Sequence, residues 1–284
     1  MIRLHRLIPL AAALLATACS TTKLAYDNLD WIVSWQIGKF VSLNEPQKTL
    51  LDERFKSFWQ WHRSTQLALY VKDLHELADL MGGPVTRAQV ADFLQRMGDH
   101  GKRAFNEALP ELARLMQTMD DKQVAELLAH MGDKRAEQVR KDTGLSVEEQ
   151  QDRAVEDTED NLKRWLGSVT DAEGQRLHDW AVSRRYENAL WLNYQENWAA
   201  AFAALLAQRQ DAAFGDKLTA LFNDPDLPSA KAIAGVRTHN RAVWIAMMAD
   251  LSQMLTPDQR AHSQKKLRAV AKDLEDLAKE PGKS

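Results

Sequence analysis

The side chains that could do chemistry in this chain are eight histidines, one cysteine and scattered carboxylates. Their spacing excludes most familiar sites. No histidine pair stands in an H-E-x-x-H arrangement, and no acidic calcium loop occurs. There is no G-x-S-x-G nucleophile elbow and no G-x-x-x-x-G-K-[ST] phosphate loop. The lone cysteine, Cys19, rules out an internal disulfide and a multi-cysteine metal site. A Ser-His-Asp triad would have to assemble from distant positions. No cofactor, no metal and no catalytic residue is therefore expected.

Three constellations remain. The first is Trp59-Gln60-Trp61-His62-Arg63. Trp61, His62 and Arg63 could offer an aromatic and cationic patch to an anionic headgroup, a glycan or a peptide. The competing reading is a core-facing aromatic cluster with a satisfied histidine, because aromatic residues at helical spacing usually pack. The second runs from Arg184 to Trp198. On the seam Leu177, Trp180, Trp191, Tyr194, Trp198 and Phe202, the missing steps fall on Arg184 and on Glu187 or Asn188. Polar groups on a seam must be paired or face a cavity, so Arg184, Glu187, Asn188 and Trp191 mark either a polar pocket or a buried network fixing helix register. The third is Arg237-Thr238-His239-Asn240-Arg241, where Asn240 falls on the seam of Ile233, Trp244 and Met247. Asn240 could meet the second cluster across a bundle, or the stretch could be a solvated basic face.

The elements that must position these residues are helices. Ala and Leu total 76 of the 284 residues, while Val and Ile total 20. A chain rich in β-sheet needs the reverse balance. Apolar residues recur at spacings of three and four almost throughout. The predicted helices cover 24–41, about 46–81, a stretch with a seam from Val90 to Met119 that Gly98, Gly101 and Pro110 interrupt, with a kink or break near Pro110, 121–142, 147–166, a long 171–222 bending near Gly215, 229–255 and 257–279. The first is apolar on most sides and is expected to be wedged under the others. Residues 223–228 read as a turn-rich loop, and 280–284 should fray. Thr86/Gln89, Ser146/Glu149, Thr170/Glu173 and Thr256/Gln259 match capping boxes, with Asn44/Gln47 a close variant. The expected fold is an all-α multi-helix bundle or irregular helical array with two or more long helices. A subdomain boundary could fall near residue 143. The formal net charge of −3 lacks the basic footprint of a nucleic-acid binder.

Residues 1–19 read MIRLHRLIPLAAALLATAC. Arg3 and Arg6 form a positive start, Leu7 to Ala16 a short apolar stretch, and Ala16-Thr17-Ala18 a small-residue approach to Cys19. This has the architecture of a secretory signal, and the apolar run is too short to span a bilayer. The cysteine directly after the small residues resembles the lipobox of bacterial lipoproteins. That resemblance implies cleavage after residue 18 and acylation of Cys19, several acyl chains being needed to hold a soluble domain stably. The remaining 266 residues, 19–284, would form a single helical periplasmic domain with a formal charge of −5. Ser20 implies sorting to the outer membrane, with the inner membrane as the alternative.

Tyr26-Asp27-Asn28-Leu29-Asp30-Trp31, then Trp35, Leu43-Asn44, Gln47 and Trp61-His62-Arg63 resemble a proteobacterial family of helical lipoproteins of unknown function. Its members start Tyr-x-Asn-Leu-Asp-Trp soon after the lipidated cysteine. The resemblance implies address and fold and supplies no activity. Leu255-Thr256-Pro257-Asp258-Gln259 is similar to the L-T-x-x-Q mark of periplasmic stress chaperones, but a capping signal explains it without kinship. The expected function is a membrane-anchored, non-catalytic periplasmic lipoprotein that binds a protein or envelope component through an aromatic and charged helical face. The alternatives are a chaperone-like protein shielding unfolded clients, or an enzyme with a polar pocket near Arg184.

Overall fold

The computed structural model describes residue 26, residues 28–223 and residues 225–280. The signal-like segment 1–18, Cys19, Ser20, Asp224 of the expected loop and residues 281–284 of the expected frayed tail lie outside the described residues. Eleven α-helices follow in order: α1 (Leu29–Gly38), α2 (Glu45–Trp61), α3 (Leu67–Leu80), α4 (Arg87–Gln117), α5 (Asp121–Thr143), α6 (Val147–Leu166), α7 (Asp171–Ser183), α8 (Asn188–Ala207), α9 (Phe214–Asn223), α10 (Pro228–Met254) and α11 (Pro257–Lys279). A π-helical turn, His62–Gln66, joins α2 to α3, so the two form one rod of 36 residues. Among the described residues there is no strand. The chain is an all-α array.

The hydrophobic seams meet in three places. The main core gathers Leu109 and Ala113 from α4, Val124 and Leu127 from α5, Trp198 and Phe202 from α8, Phe214 and Leu218 from α9, and Ile233 from α10. A second core holds Leu177, Trp180 and Ala181 of α7 against Met247 and Leu251 of α10. A third holds Tyr26, Leu67, Leu274 and Leu277. α10 belongs to the first two cores, and α11 lies along α3 in the most extensive helix pairing among the described residues.

The helix starts follow the capping signals. All five expected boxes close, each with the cap side chain on the third backbone N–H and the Gln or Glu reaching back. A sixth, Asp120/Gln123, starts α5. Four of the six interlock in pairs. Gln47 and Gln123 exchange amide hydrogen bonds at 2.9 and 2.7 Å, and each also donates to a carbonyl, of Thr118 and Ser42 respectively. Gln259 donates to Glu173 at 2.8 Å and to the Ser168 carbonyl. A local cap worth about 1 kcal/mol thus becomes a buried tertiary contact. The resemblance of Leu255–Gln259 to the chaperone mark has this structural use.

Three expectations change. α4 runs through Pro110 without a break. Proline inside a helix costs about 3 kcal/mol. Leu109, Ala113 and Leu115 on either side are buried, and each large apolar side chain contributes roughly 1.5–3 kcal/mol. Burial wins, and Pro110 itself faces solvent. Pro110→Ala should therefore raise the unfolding free energy by about 1–3 kcal/mol in a urea titration. A loss would mean that the core needs the proline's shape.

The long helix expected over 171–222 is three helices, and Gly215 lies inside α9. The seam has nothing apolar to bury at Arg184 and Glu187, and Arg184 is extended there. The second break is the polar run Gln208–Asp211, where Arg209 caps the end of α8. Its guanidinium donates to the carbonyls of Leu206 and Met119 and to Asp121. Finally, α1 is not wedged under its neighbours. Ile37 and Phe40 at its end touch the main core, but Trp31 and Trp35 are exposed.

Candidate functional site

The π turn organises the densest group of polar and aromatic side chains. The Leu67 N–H reaches the His62 carbonyl, one residue beyond α-helical spacing. A wide turn of this kind absorbs an extra residue and often marks a functional site. Ser64 and Thr65 make it affordable locally. Their hydroxyls donate to the carbonyls of Gln60 and Trp61 at 2.8 and 2.7 Å, groups a widened turn would otherwise leave short of partners. The turn aims Arg63 and Gln66 inward, and both are buried.

His62 sits between two phenols. Its Nδ1 pairs with the Tyr26 hydroxyl and its Nε2 with the Tyr70 hydroxyl, each at 3.1 Å. Its ring stacks on Trp59 with centroids 5.2 Å apart, and Tyr26 packs on the same indole. Burial pushes the imidazole pKa down to about 4, so it is neutral at neutral pH. One nitrogen then donates to a phenol oxygen and the other accepts from a phenol hydroxyl. Burial also pushes the Tyr70 hydroxyl up to about 12, against the opposing charge of Arg103. Tyr70 keeps its proton, so it and His62 meet as neutral groups.

The edge of Tyr70 meets His100, centroids 4.9 Å apart. His100 Nε2 lies 2.5 Å from Asp73 Oδ2, and Asp73 Oδ1 lies 3.0 Å from Arg96. Arg96 also pairs with Glu76 and Asp92. Arg103 donates to Gln66 at 3.2 Å. Arg63 lies over the Tyr26 ring and donates to the Glu280 carbonyl at 3.1 Å, so the turn is tied to the end of α11.

Of the predicted first constellation, His62 and Arg63 thus point into the fold, as the core-facing reading had it. Trp61 is half-buried against Phe58, centroids 5.7 Å apart. The sequence reading passed over Tyr70, Asp73, Arg96 and His100 as chemistry. One signal was present: Asp73 stands three residues after Tyr70 and four before Leu77, so a carboxylate lies on an apolar seam.

The second and third constellations do meet. The Asn240 side chain accepts from the Arg185 N–H at 2.9 Å and donates to the Arg185 carbonyl at 3.0 Å. His239 Nε2 lies 2.8 Å from the Ser183 carbonyl. α10 thereby grips the α7–α8 turn by its backbone. Arg184 lies 5.0 Å over both the Trp180 and Tyr186 rings, and Asn188 donates to Gln150 at 3.0 Å. Glu187 occupies the cap position of α8 without capping it and faces solvent. Trp191 packs edge-on against Tyr194 at the rim of the main core. These residues build a clamp.

Two open clefts, of about 320 and 490 Å3, run along α6 and share Asp152 and Glu156. Neither is lined by the His62 group or by Arg184, Glu187 or Asn188. Among the described residues, no three His, Cys, Asp or Glu side chains are placed to hold a metal ion, and no helix is long and apolar enough to cross a membrane.

A protein-family model matches residues 39–230, a family of unknown function, DUF6279. The matched stretch contains the π turn, Tyr70, Asp73, His100 and the α7–α8 turn, and excludes Tyr26, Asn240 and α11. No curated protein and no solved structure matches the chain.

Proposed function

The chain belongs to this family of unknown function, DUF6279, and we propose that it acts as a non-catalytic helical lipoprotein. In this reading, acyl chains on Cys19 hold it at the periplasmic face of the outer membrane, where it binds a protein or another envelope component. The observation that carries a binding role over catalysis is the use of its gathered polar groups. His62 is held by two phenols, Asp73 by His100 and Arg96, and Asn240 by the Arg185 backbone. Such pairing fixes helix positions rather than presenting a reactive group. The charged face left open lies beside the clamp, where Arg185, Glu187, Arg237 and Arg241 are exposed. The signal-like start and its cysteine support the anchor.

A client-shielding chaperone would need a broad exposed apolar face. Outside α1, the exposed large apolar side chains among the described residues are Leu69, Val147, Val182 and Met254, one each on α3, α6, α7 and α10. With a single such side chain on each helix, the adaptor reading is the better supported.

Cys19→Ser is expected to move nearly all of the protein from the membrane fraction to the soluble periplasmic fraction. A photo-crosslinker at Arg185 or Arg237 in intact envelope should capture one dominant partner, and the same crosslinker in the Cys19→Ser chain should lose it. Retention of Cys19→Ser in the membrane would end the anchor reading. A broad spread of unfolded envelope proteins would transfer the case to the chaperone.

A further inference from the structure

α1 carries the most exposed large aromatic surface of the described residues, and it is organised. Trp31 is 65% exposed and Trp35 50%, and their rings stack with centroids 5.9 Å apart. Gly38 and Lys39 continue the same exposed stripe at helical spacing. The Lys39 ammonium sits 3.2 Å over the Trp35 ring, at the lower edge of the stripe.

The opposite side of the helix is fastened to the domain. Leu29 packs on the Tyr26–Leu67 core, and Ile37 and Phe40 pack on the main core. Val41 just beyond is fully buried. The Phe40 carbonyl meets His130 Nδ1 at 2.9 Å, and Ser42 is held by Glu126 through both its N–H and its hydroxyl. The stripe therefore moves with the domain.

We propose that Trp31, Trp35 and Lys39 form a membrane-seating face that docks onto the surface of the bilayer holding the anchor. The proposal rests on the Cys19 anchor reading above. Reach, size and chemistry select a bilayer. The first is reach. Tyr26, seated in the third core, lies 7 residues after Cys19, and Trp31 follows it by five. A stretch of seven residues spans about 25 Å at most. The face is thus always within a short distance of lipid, at high effective concentration. The second is size. Two indoles bury roughly 150–250 Å2 each, well short of the about 800 Å2 per partner that a stable protein interface needs. A weak contact suffices where a covalent anchor already supplies the affinity. The third is chemistry. Indole has an apolar body and a polar N–H, which suits the headgroup boundary, and Lys39 beside it suits an anionic headgroup. Because the inner side of α1 is locked to the core, seating this face would set the orientation of the whole domain on the membrane.

The test uses the acylated full chain in vesicles of phosphatidylethanolamine and phosphatidylglycerol. Acylation occupies the only native thiol, so a new cysteine is a unique label site. Gly38→Cys keeps both tryptophans, and a Cβ there meets nothing within 4 Å. Val182→Cys on α7 is the exposed control. A fluorophore at position 38 should lose about half its emission to a shallow lipid-borne quencher, as for a group seated roughly 5–10 Å into the boundary. The label at position 182 should stay unquenched. Adding Trp31→Ala and Trp35→Ala should abolish the quenching at 38 while the protein still pellets with the vesicles. A label at 38 that stays open to aqueous iodide and untouched by the lipid quencher overturns the proposal. So does a label shielded from iodide in native membranes without lipid quenching, which would mean a protein covers the face. The mass of the Cys19 peptide reports acylation separately. If Cys19 proves unmodified, the anchor reading fails and the proposal falls with it, an outcome the peptide mass tells apart from an acylated chain whose label at 38 stays unquenched.

Discussion

Replacing Asp73 with alanine should lower the unfolding free energy by about 3 kcal/mol, among the largest single-residue effects available outside the apolar core. The carboxylate is 7% exposed and lies between His100 and Arg96. Its loss falls unequally on the two partners. Arg96 retains Glu76 and Asp92 and is 30% exposed, so it can be re-solvated. His100 is 12% exposed, and its Nδ1 has no hydrogen-bond partner among the described residues. Without Asp73 both its nitrogens are buried and unsatisfied, the costly state for a polar group.

The conservative change separates this cause from simple loss of packing. Asp73→Asn keeps an acceptor for the His100 N–H and should cost only about 1 kcal/mol. The double change Asp73→Ala with His100→Leu removes the stranded group and should recover 1 kcal/mol or more of the Asp73→Ala loss, as roughly expected for directly coupled residues. Urea midpoints at constant slope read all three. An Asp73→Ala protein within about 0.5 kcal/mol of the parent would mean that the dyad is solvated and structurally idle.

What could be read from the sequence follows the range of the interactions. Helix starts at Asn44, Thr86, Ser146, Thr170 and Thr256 were legible because a capping box is complete within four residues. That Gln47 seeks Gln123, or Gln259 seeks Glu173, was not, since the partners lie 76 and 86 residues away. The break after Ser183 was half visible. Arg184 and Glu187 announced a seam with nothing to bury, and a continuous helix with a polar pocket satisfies the same pattern as a turn gripped by Asn240. Of the kink or break that Pro110 announced, the break does not occur, because burial on either side outweighs the local penalty. α1 misled for lack of pattern. A helix apolar on most sides has little periodicity to tell which face the fold will leave open, so the outward Trp31–Trp35 pair could not be foreseen. The π turn escaped for a related reason: Ser64 and Thr65 read as ordinary helix-surface residues until their hydroxyls are seen on the carbonyls of Gln60 and Trp61.

The second large effect is acid sensitivity centred on His62. Burial holds its pKa near 4, against an ordinary 6.5. Between these values the unfolded chain binds a proton that the folded chain does not, so stability rises with pH across the window. The His62 contribution is complete above about pH 6.5, falls progressively below it, and is exhausted once pH drops through about 4. A gap of this size corresponds to about 3 kcal/mol. Protonation also converts the acceptor nitrogen into a second donor, so one of the two phenols must turn or lose its bond. Arg63 lies over the Tyr26 ring and Arg103 acts on Tyr70, while burial is what lowers the imidazole. Exposed carboxylates with lowered values, such as Glu137 held near 2 by Lys141 and Lys134, begin to act only below their ordinary 4.5. The interval from pH 6.5 to about 5 therefore belongs mainly to histidine. His62→Gln keeps one donor and one acceptor for the two tyrosines and cannot titrate. It should cost about 1 kcal/mol at pH 7 and should lack the His62 share of the slope from pH 7 to 5, roughly 2 kcal/mol, so that the two stability curves meet near about pH 6 and cross below it. Parallel stability curves for the two proteins over that interval would show that the buried imidazole is not the source of the acid response.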